Sequence, residues 1–246
     1  MKYAIISDIH GNDIALKEAL KLIDWENVEK IICLGDIIGI GVRSEECVKL
    51  LMNYKDKLIA VRGNHEDRCL FGIPEYIHEG KHKMSEEDMA QEHWIQDHIS
   101  DESKDFLRSL PQEICMEIEG IKFVITHYPS KENMEYKSFN PFPNKEELFE
   151  LFNKYEKSRV YLFGHTHEIR IRETNDGIWF INPGTLGTAF HRDYGSFGIL
   201  TIAEDKKIYY TEKSFMYDIN AYMHDYDVMN PPRKDHMRDQ FFGYKG

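Results

Sequence analysis

Apolar residues in the first part of the chain alternate between two rhythms. Lys2 to Ile6 is a β-branched run that predicts a buried strand. From Asn12 to Leu22, Ile14, Leu16, Ala19 and Leu20 fall at helical spacing, Ile23 continues the stripe, and Asn12 and Asp13 stand at its start. Lys30 to Leu34 is a second strand. Ser44 to Met52 is a second helix, opened by a serine cap with acids following. Leu58 to Val61 is a third strand. Strand, helix, strand, helix, strand predicts parallel βαβ units.

The second half is richer in strands. Ile114 to Ile118 and Ile121 to Ile125 flank Glu119-Gly120, which predicts a hairpin. Arg159 to Phe163, Arg170 to Thr174, Ile178 to Ile181, Gly198 to Ala203 and Lys207 to Lys213 are further short strands, separated by turn residues such as Asn175-Asp176-Gly177 and Glu204-Asp205-Lys206. Much of this part is expected to be antiparallel. Two stretches interrupt the pattern: 69–110, expected as helices above or beside the sheet, and 129–157, with a helix from Lys145 to Lys154. The expected organisation is one α/β domain over 1–217 carrying these two inserts, followed by a peripheral extension over 218–246.

Of 246 residues, 41% are apolar, which is enough for a folded core. No run approaches the ~18 apolar residues of a membrane span, and no signal peptide is expected, since no basic region and long apolar stretch is visible at the start; the expected location is cytoplasmic. Lys and Arg number 31 and Asp and Glu 43, a net charge of −12. A field of that sign disfavours non-specific binding to nucleic acid or anionic lipid. The four cysteines, Cys33, Cys47, Cys69 and Cys115, have no zinc-type spacing. Reduced structural thiols are expected, with Cys33 and Cys115 buried in apolar runs.

Five short polar blocks follow apolar strands: Asp8-Ile9-His10-Gly11-Asn12, Gly35-Asp36, Gly63-Asn64-His65-Glu66, Thr126-His127-Tyr128 and Gly164-His165-Thr166-His167. Loops at the C-terminal ends of strands are where open α/β sheets build sites. Two Asp, four His and one Asn offer oxygen and nitrogen donors without sulfur, which suits Mn, Fe, Zn, Co or Ni. Seven donors exceed one ion and fit two, held about 3.5–4 Å apart, an arrangement that clamps both oxygens of a phosphoryl displacement. Two divalent ions outweigh two aspartates, so the site is locally cationic and suits a phosphate anion. Gly35, Gly63 and Gly164 each directly precede a proposed donor, where a missing Cβ lets the chain turn sharply.

The order D-x-H, G-D, G-N-H-[ED], H, G-H-x-H resembles the calcineurin-like metallophosphoesterase superfamily. The stretch GDIIGIGVRSEECVKLL is similar to its YfcE-like branch of small bacterial and archaeal phosphoesterases, as is Asn182-Pro183-Gly184-Thr185 to a segment near the metal site there. The resemblance implies a two-sheet mixed β-sandwich flanked by helices, a four-layer α/β/β/α arrangement with helical inserts. It implies two divalent transition metal ions, manganese first, with Fe, Zn, Ni or Co also compatible. Asp8, His10, Asp36 and His167 would hold one, and Asp36, Asn64, His127 and His165 the other, with Asp36 bridging. A metal-bridging hydroxide would attack phosphorus while His65 protonates the leaving oxygen. The substrate would be a small phosphodiester or phosphomonoester, with nucleotides among the candidates.

Ser/Thr phosphatases of the superfamily carry G-D-x-V-D-R-G where this chain has Gly35-Asp36-Ile37-Ile38-Gly39-Ile40-Gly41, so their Asp and Arg are missing. That weakens a phosphoprotein phosphatase reading. A dinucleoside polyphosphate hydrolase, a cyclic-nucleotide phosphodiesterase and a non-catalytic scaffold on the same fold also compete with the leading expectation. His78, His82, His93 and His98 are expected to be solvated helix residues, and His191 and Arg192 to lie in a surface loop. Arg43 and Arg62 are either surface-loop residues or phosphate contacts, and Tyr128 lines the pocket or packs on the sheet. Phe139, Phe142, Phe149 and Phe152 are expected to form the core of the second insert.

Overall fold

The computed structural model describes residues 1–77, 82–131, 136–190 and 194–244. His78, His191 and Arg192 lie outside the described residues, as does the side chain of His82. In chain order, β1 (Lys2–Ile6), α1 (Asp13–Trp25), β2 (Lys30–Cys33), α2 (Ser44–Met52) and β3 (Leu58–Ala60) form the expected βαβαβ run. Next come α3 (Asn64–Phe71), a small ribbon of β4 (Tyr76–Ile77) and β5 (His82–Lys83), α4 (Glu86–Asp97) and α5 (Asp101–Ser109). Then follow β6 (Glu113–Ile118), β7 (Ile121–Thr126), α6 (Lys145–Leu151), β8 (Val160–Leu162), β9 (Ile169–Glu173), β10 (Trp179–Pro183), β11 (Tyr194–Ile202), β12 (Ile208–Met216), α7 (Ile219–Met229) and α8 (Lys234–Phe242).

Two five-stranded mixed sheets result. The first has order β12-β11-β1-β2-β3, with β1, β2 and β3 parallel and β11 and β12 antiparallel. The second has order β6-β7-β8-β10-β9, with β7, β8 and β10 parallel and the outer strands antiparallel. The strand period of two explains the layering. Ile5, Ile32 and Leu200 of the first sheet face Phe123, Ile125, Leu162 and Ile181 of the second. Their alternate neighbours Ala4, Ile6, Ile31 and Cys33 pack outward against Leu16, Leu20, Val48, Leu51 and Leu107 of α1, α2 and α5. On the far side Val124, Tyr161 and Phe180 meet Leu148 and Leu151 of α6. The layers are α/β/β/α. Each fully buried aliphatic or aromatic side chain contributes roughly 1.5–3 kcal/mol. No described helix is long and apolar enough to cross a membrane.

Three local expectations differ from what is observed. Arg43 rather than Ser44 caps α2. Its guanidinium is held by Asp225 at 2.9 and 2.8 Å, and Ser44 becomes the first helical residue. Cys115 is exposed, because β6 is an edge strand and that position faces outward. The residues after 218 are not peripheral. Tyr222, Met223 and Tyr226 of α7 are buried with Ile40, Val42, Met237 and Phe242. Ile40 and Val42 are apolar residues in the loop after Asp36 and need a cover, which α7 and α8 supply. The Tyr222 hydroxyl donates to the Gly11 carbonyl at 2.8 Å and accepts from the Val42 N–H at 3.3 Å. The Tyr226 hydroxyl donates to the Ile40 carbonyl at 2.9 Å.

Tyr222→Phe removes one hydroxyl from this seam and takes the acceptor from the Val42 N–H. Urea unfolding should report a loss of about 1–2 kcal/mol, with the slope unchanged.

Candidate metal centre

The parallel strands of both sheets end on the same side. Asp8 and His10 follow β1, Asp36 follows β2, and Asn64 and His65 open α3 just after β3. His127 follows β7, and His165 and His167 follow β8. Backbone hydrogen bonds fasten these loops together: Asp8 N–H to Gly35 carbonyl at 3.1 Å, His10 N–H to Asp36 carbonyl at 3.0 Å, and Gly164 N–H to His127 carbonyl at 2.8 Å. Three overlapping groups of candidate donor atoms result, each within 4.8 Å of one another: Asp8, His10 and His167; His10, Asp36 and His65; and Asp36, His127 and His165. Asn64 joins the third through its Oδ1, 3.2 Å from His127 Nε2. All eight residues singled out from the sequence therefore meet in one place.

Both carboxylates are split in function. Asp8 Oδ2 accepts from the Ser7 hydroxyl and from the His165 N–H. Its Oδ1 is buried with no hydrogen-bond partner and lies 3.6 Å from His10 Nε2 and 3.3 Å from His167 Nε2. Asp36 Oδ1 accepts from the His65 N–H at 3.0 Å. Its Oδ2 sits between the two halves of the cluster, 3.8 Å from His10 Nε2 and 3.2 Å from His127 Nε2. Burial alone would raise both carboxyls. His167 and His10 beside Asp8, and His127 and His65 beside Asp36, hold them well below the usual carboxylate range.

The imidazoles are oriented from behind. His10 Nδ1 faces the Ile38 carbonyl at 3.3 Å and His127 Nδ1 the Leu34 carbonyl at 2.8 Å, so each ring donates there and turns its Nε2 inward. For His167 a hydroxyl chain decides. Thr185 donates to the Asp8 carbonyl at 2.8 Å, so Thr188 donates to Thr185 at 3.0 Å and His167 Nδ1 donates to Thr188 at 3.1 Å. His165 turns Nδ1 toward His127 Nε2 at 3.2 Å. Burial lowers His10 to about 4, and burial with neighbouring His127 drives His165 well below its ordinary value. His127 is pushed up to about 9, because Asp36 overcomes the effect of burial.

The backbone bearing these groups is strained. Five of the eleven non-glycine residues with positive φ among the described residues are Asp8, His10, Asp36, His165 and His167. Left-handed backbone costs roughly 1–2 kcal/mol per residue and clusters at functional sites. Gly35 has the expected turning role at φ +93. Gly63 and Gly164 do not turn; they make room, since a Cβ there would collide with Asp36 Oδ1 and with Ser7 Oγ and Asp8 Oδ2. Glu66 fixes the Asp36 loop. Its carboxylate accepts from Asp36 N–H at 2.9 Å, Gly63 N–H at 2.6 Å and Ile38 N–H at 3.0 Å, while burial and Asp36 push it up to about 7.

Sequence reasoning did not find the roles of Glu66, Thr185 and Thr188, although each stands in or beside a quoted block. It also missed Glu92 on α4, which faces His65 Nδ1 at 3.3 Å. Arg43 pairs with Asp225, and Arg62 with Asp67 and the Leu110 carbonyl, so both are structural. Tyr128 is buried against His165 and accepts from the Asn140 N–H at 3.2 Å, fastening the second insert to the site. His93 and His98 are exposed, as expected. The aromatic group divides. Phe152 is core and Phe149 packs on Phe180, but Phe139 and Phe142 are 44% and 62% exposed, with the Phe139 ring edge-on to His165.

A paired-sheet sandwich with His, Asp and Asn gathered at its strand ends has the build of a metal-dependent phosphoester hydrolase. The model of the calcineurin-like phosphoesterase superfamily domain matches residues 1–205, and the chain belongs to that superfamily. The uncharacterized protein MJ0912 of Methanocaldococcus jannaschii is 31% identical over 206 residues, covering 75% of each chain. Phosphodiesterase MJ0936 of the same organism is 29% identical over 185 residues, 75% of this chain and 83% of its own. The fold is shared with the crystal structure of hypothetical protein PH1004 from Pyrococcus horikoshii, with a TM-score of 0.81 at 19% identity over 100% of this chain and 99% of that one.

Glu66→Gln forces an NH₂ group against either the Ile38 N–H or the Asp36 and Gly63 pair. The expected loss is about 2–3 kcal/mol, read by urea unfolding of the metal-free protein, with weaker Mn²⁺ binding in a competition assay.

Proposed function

We propose that the cluster holds two divalent transition metal ions and hydrolyses a small phosphate ester. The observation that carries this reading is the convergence of bare donor atoms. His10 Nε2 and His167 Nε2 face each other at 2.9 Å while their other nitrogens are committed to protein acceptors, and the buried Asp8 Oδ1 beside them has no hydrogen-bond partner. Such a contact between lone pairs is unfavourable alone and favourable around a cation. The residues fit the group: Asp8, His10, Asp36 and His167 would hold one ion, and Asp36, Asn64, His127 and His165 the other. The bridging role of Asp36 is supported by its Oδ2 lying between His10 and His127. The sulfur-free donor set favours manganese, with iron, zinc, nickel and cobalt compatible.

Bound there, divalent ions supply Lewis acidity toward the phosphoryl oxygens and a hydroxide nucleophile at neutral pH. The chain's own residues do the rest. His65 lies beside the cluster and carries the proton for the departing oxygen, a contribution of roughly 10²–10⁴-fold. Its ring is buried, which lowers its pKa, but Glu92 and Asp36 more than reverse this and raise it above its ordinary value. Ser7, Thr188, Glu66 and the Leu34 and Ile38 carbonyls hold the ligating groups in place. A phosphodiester is favoured by the relative named as a phosphodiesterase. The four cysteines are unpaired, which fits a cytoplasmic setting.

The decisive experiment strips the protein with chelator and reloads it with Mn²⁺. Elemental analysis should find two ions per chain, and bis-p-nitrophenyl phosphate or p-nitrophenyl phosphate should be turned over only after reloading. Failure to turn over either ester with Mn, Fe, Zn, Ni or Co defeats the reading. Asp36→Asn should weaken both sites, and retention of two tight ions removes Asp36 as the bridge. His65→Ala should keep the metal content and lose roughly 10²–10⁴-fold in kcat on diphenyl phosphate, whose basic phenolate needs a proton to leave; an unchanged kcat on that ester assigns the proton to another group.

A further inference from the structure

We infer that Glu92, from the first insert, is the positioning residue that aims His65 at the substrate. The inference rests on the general-acid reading of His65 given above. Glu92 Oε1 lies 3.3 Å from His65 Nδ1, and the two side chains are only 8% and 12% exposed. The same oxygen accepts from Arg68 Nη1 at 2.8 Å, and Arg68 stands on α3 one turn after His65. Arg68 therefore fixes the carboxylate, and the carboxylate faces one nitrogen of the ring. With Nδ1 turned to Glu92, Nε2 is left to face the cluster, where a His65 nitrogen lies within 4.8 Å of His10 and Asp36 donor atoms.

The remaining directions are closed by packing. A Cβ at Gly39 would collide with the Cβ, Cγ and Nδ1 of His65, so the ring rests directly on the Gly39 backbone. On another side the His10 ring stands edge-on at 5.1 Å. Gly39 is also the position at which the protein phosphatases' motif carries its second aspartate. A side chain there cannot coexist with this ring position, and the carboxylate beside the ring comes instead from α4.

The helix that delivers Glu92 is itself gripped. Gln96, one turn on, donates to the Arg68 and Cys69 carbonyls at 3.0 and 3.3 Å, joining α4 to α3. At the other end Asp88 pairs with Arg233, and Gln91 accepts from the Arg233 N–H at 3.4 Å. The Glu92–His65 contact is long and not squarely aligned for a hydrogen bond. Contacts to catalytic groups commonly tighten only in the reacting complex.

A pair of esters of similar shape tests this: bis-p-nitrophenyl phosphate, whose phenolate leaves without a proton, and diphenyl phosphate, whose more basic phenolate needs one. Glu92→Ala should lose roughly 10- to 100-fold in kcat on diphenyl phosphate. On the nitrophenyl ester it should stay within about threefold, with KM unchanged on both. Glu92→Gln keeps an acceptor for the Nδ1 proton and should recover most of the loss. If Glu92→Ala unfolds, Glu92→Asp carries the comparison, since it keeps the charge near Arg68 but withdraws it from the ring. Equal losses on both esters, or none, make Glu92 merely structural and overturn the inference. His65→Ala is the reference. If it lacks the leaving-group signature, the general-acid reading itself fails; if it has the signature and Glu92→Ala does not, only the Glu92 inference fails. A readout independent of turnover is the ¹⁵N spectrum of the His65 imidazole in zinc-loaded protein. At alkaline pH, where the ring is neutral, the Nδ1–H tautomer should dominate in wild type and give way in Glu92→Ala, and an identical spectrum in both overturns the inference.

Discussion

Two buried carboxylate oxygens, Asp8 Oδ1 and Asp36 Oδ2, set the conditions for the rest of the molecule. Each faces imidazole nitrogens of the cluster, and each shares a carboxylate with an oxygen already tied to backbone N–H. A buried charge is tolerated only when it is paired and hydrogen-bonded. The fold meets that demand by crossing its own halves. The His165 amide from the second sheet binds Asp8 of the first, and the Leu34 carbonyl from the first binds His127 of the second. Sheet packing and site geometry are therefore one arrangement, since sliding one sheet over the other would break both sets of bonds.

Strain at the strand ends belongs to the same logic. Asp8, His10, Asp36, His165 and His167 all hold left-handed backbone, which aspartate and histidine enter more readily than most residues but still at a cost. What holds them is the ladder behind: the interdigitated apolar faces between the sheets and helices that cover both outer faces. Stability gathered in the sandwich is spent at its rim.

The strand-end blocks were legible in the sequence because each donor stands directly after an apolar run, and the register of strand and loop leaves it little freedom. The βαβαβ start was legible for the same reason, and β1 and α2 keep the bounds read from their patterns. Glu92 was not legible. It sits in a helix that also carries Glu86, Glu87 and Asp88, and nothing in spacing separates the buried acid from the solvated ones. The four phenylalanines of the second insert could not be sorted either, because a core ring and an exposed ring have the same composition. The path of the segment around Pro141 separates Phe139 and Phe142 from Phe152. Residues after 218 read as polar and peripheral because their apolar stripe is short; its importance comes from Ile40 and Val42, far away in sequence.

The seam formed by Tyr222 and Tyr226 also bears on the order of assembly. The Gly11 and Ile40 carbonyls receive their hydroxyl partners from residues 211 and 186 positions later in the chain, and β1 gains its second neighbour, β11, only once residues past 194 exist. Contacts of such separation form slowly and late. A nascent chain emerging from the ribosome can therefore build its first βαβ units early, while the loops after β1 and β2 wait for the distal helices to arrive and cover them.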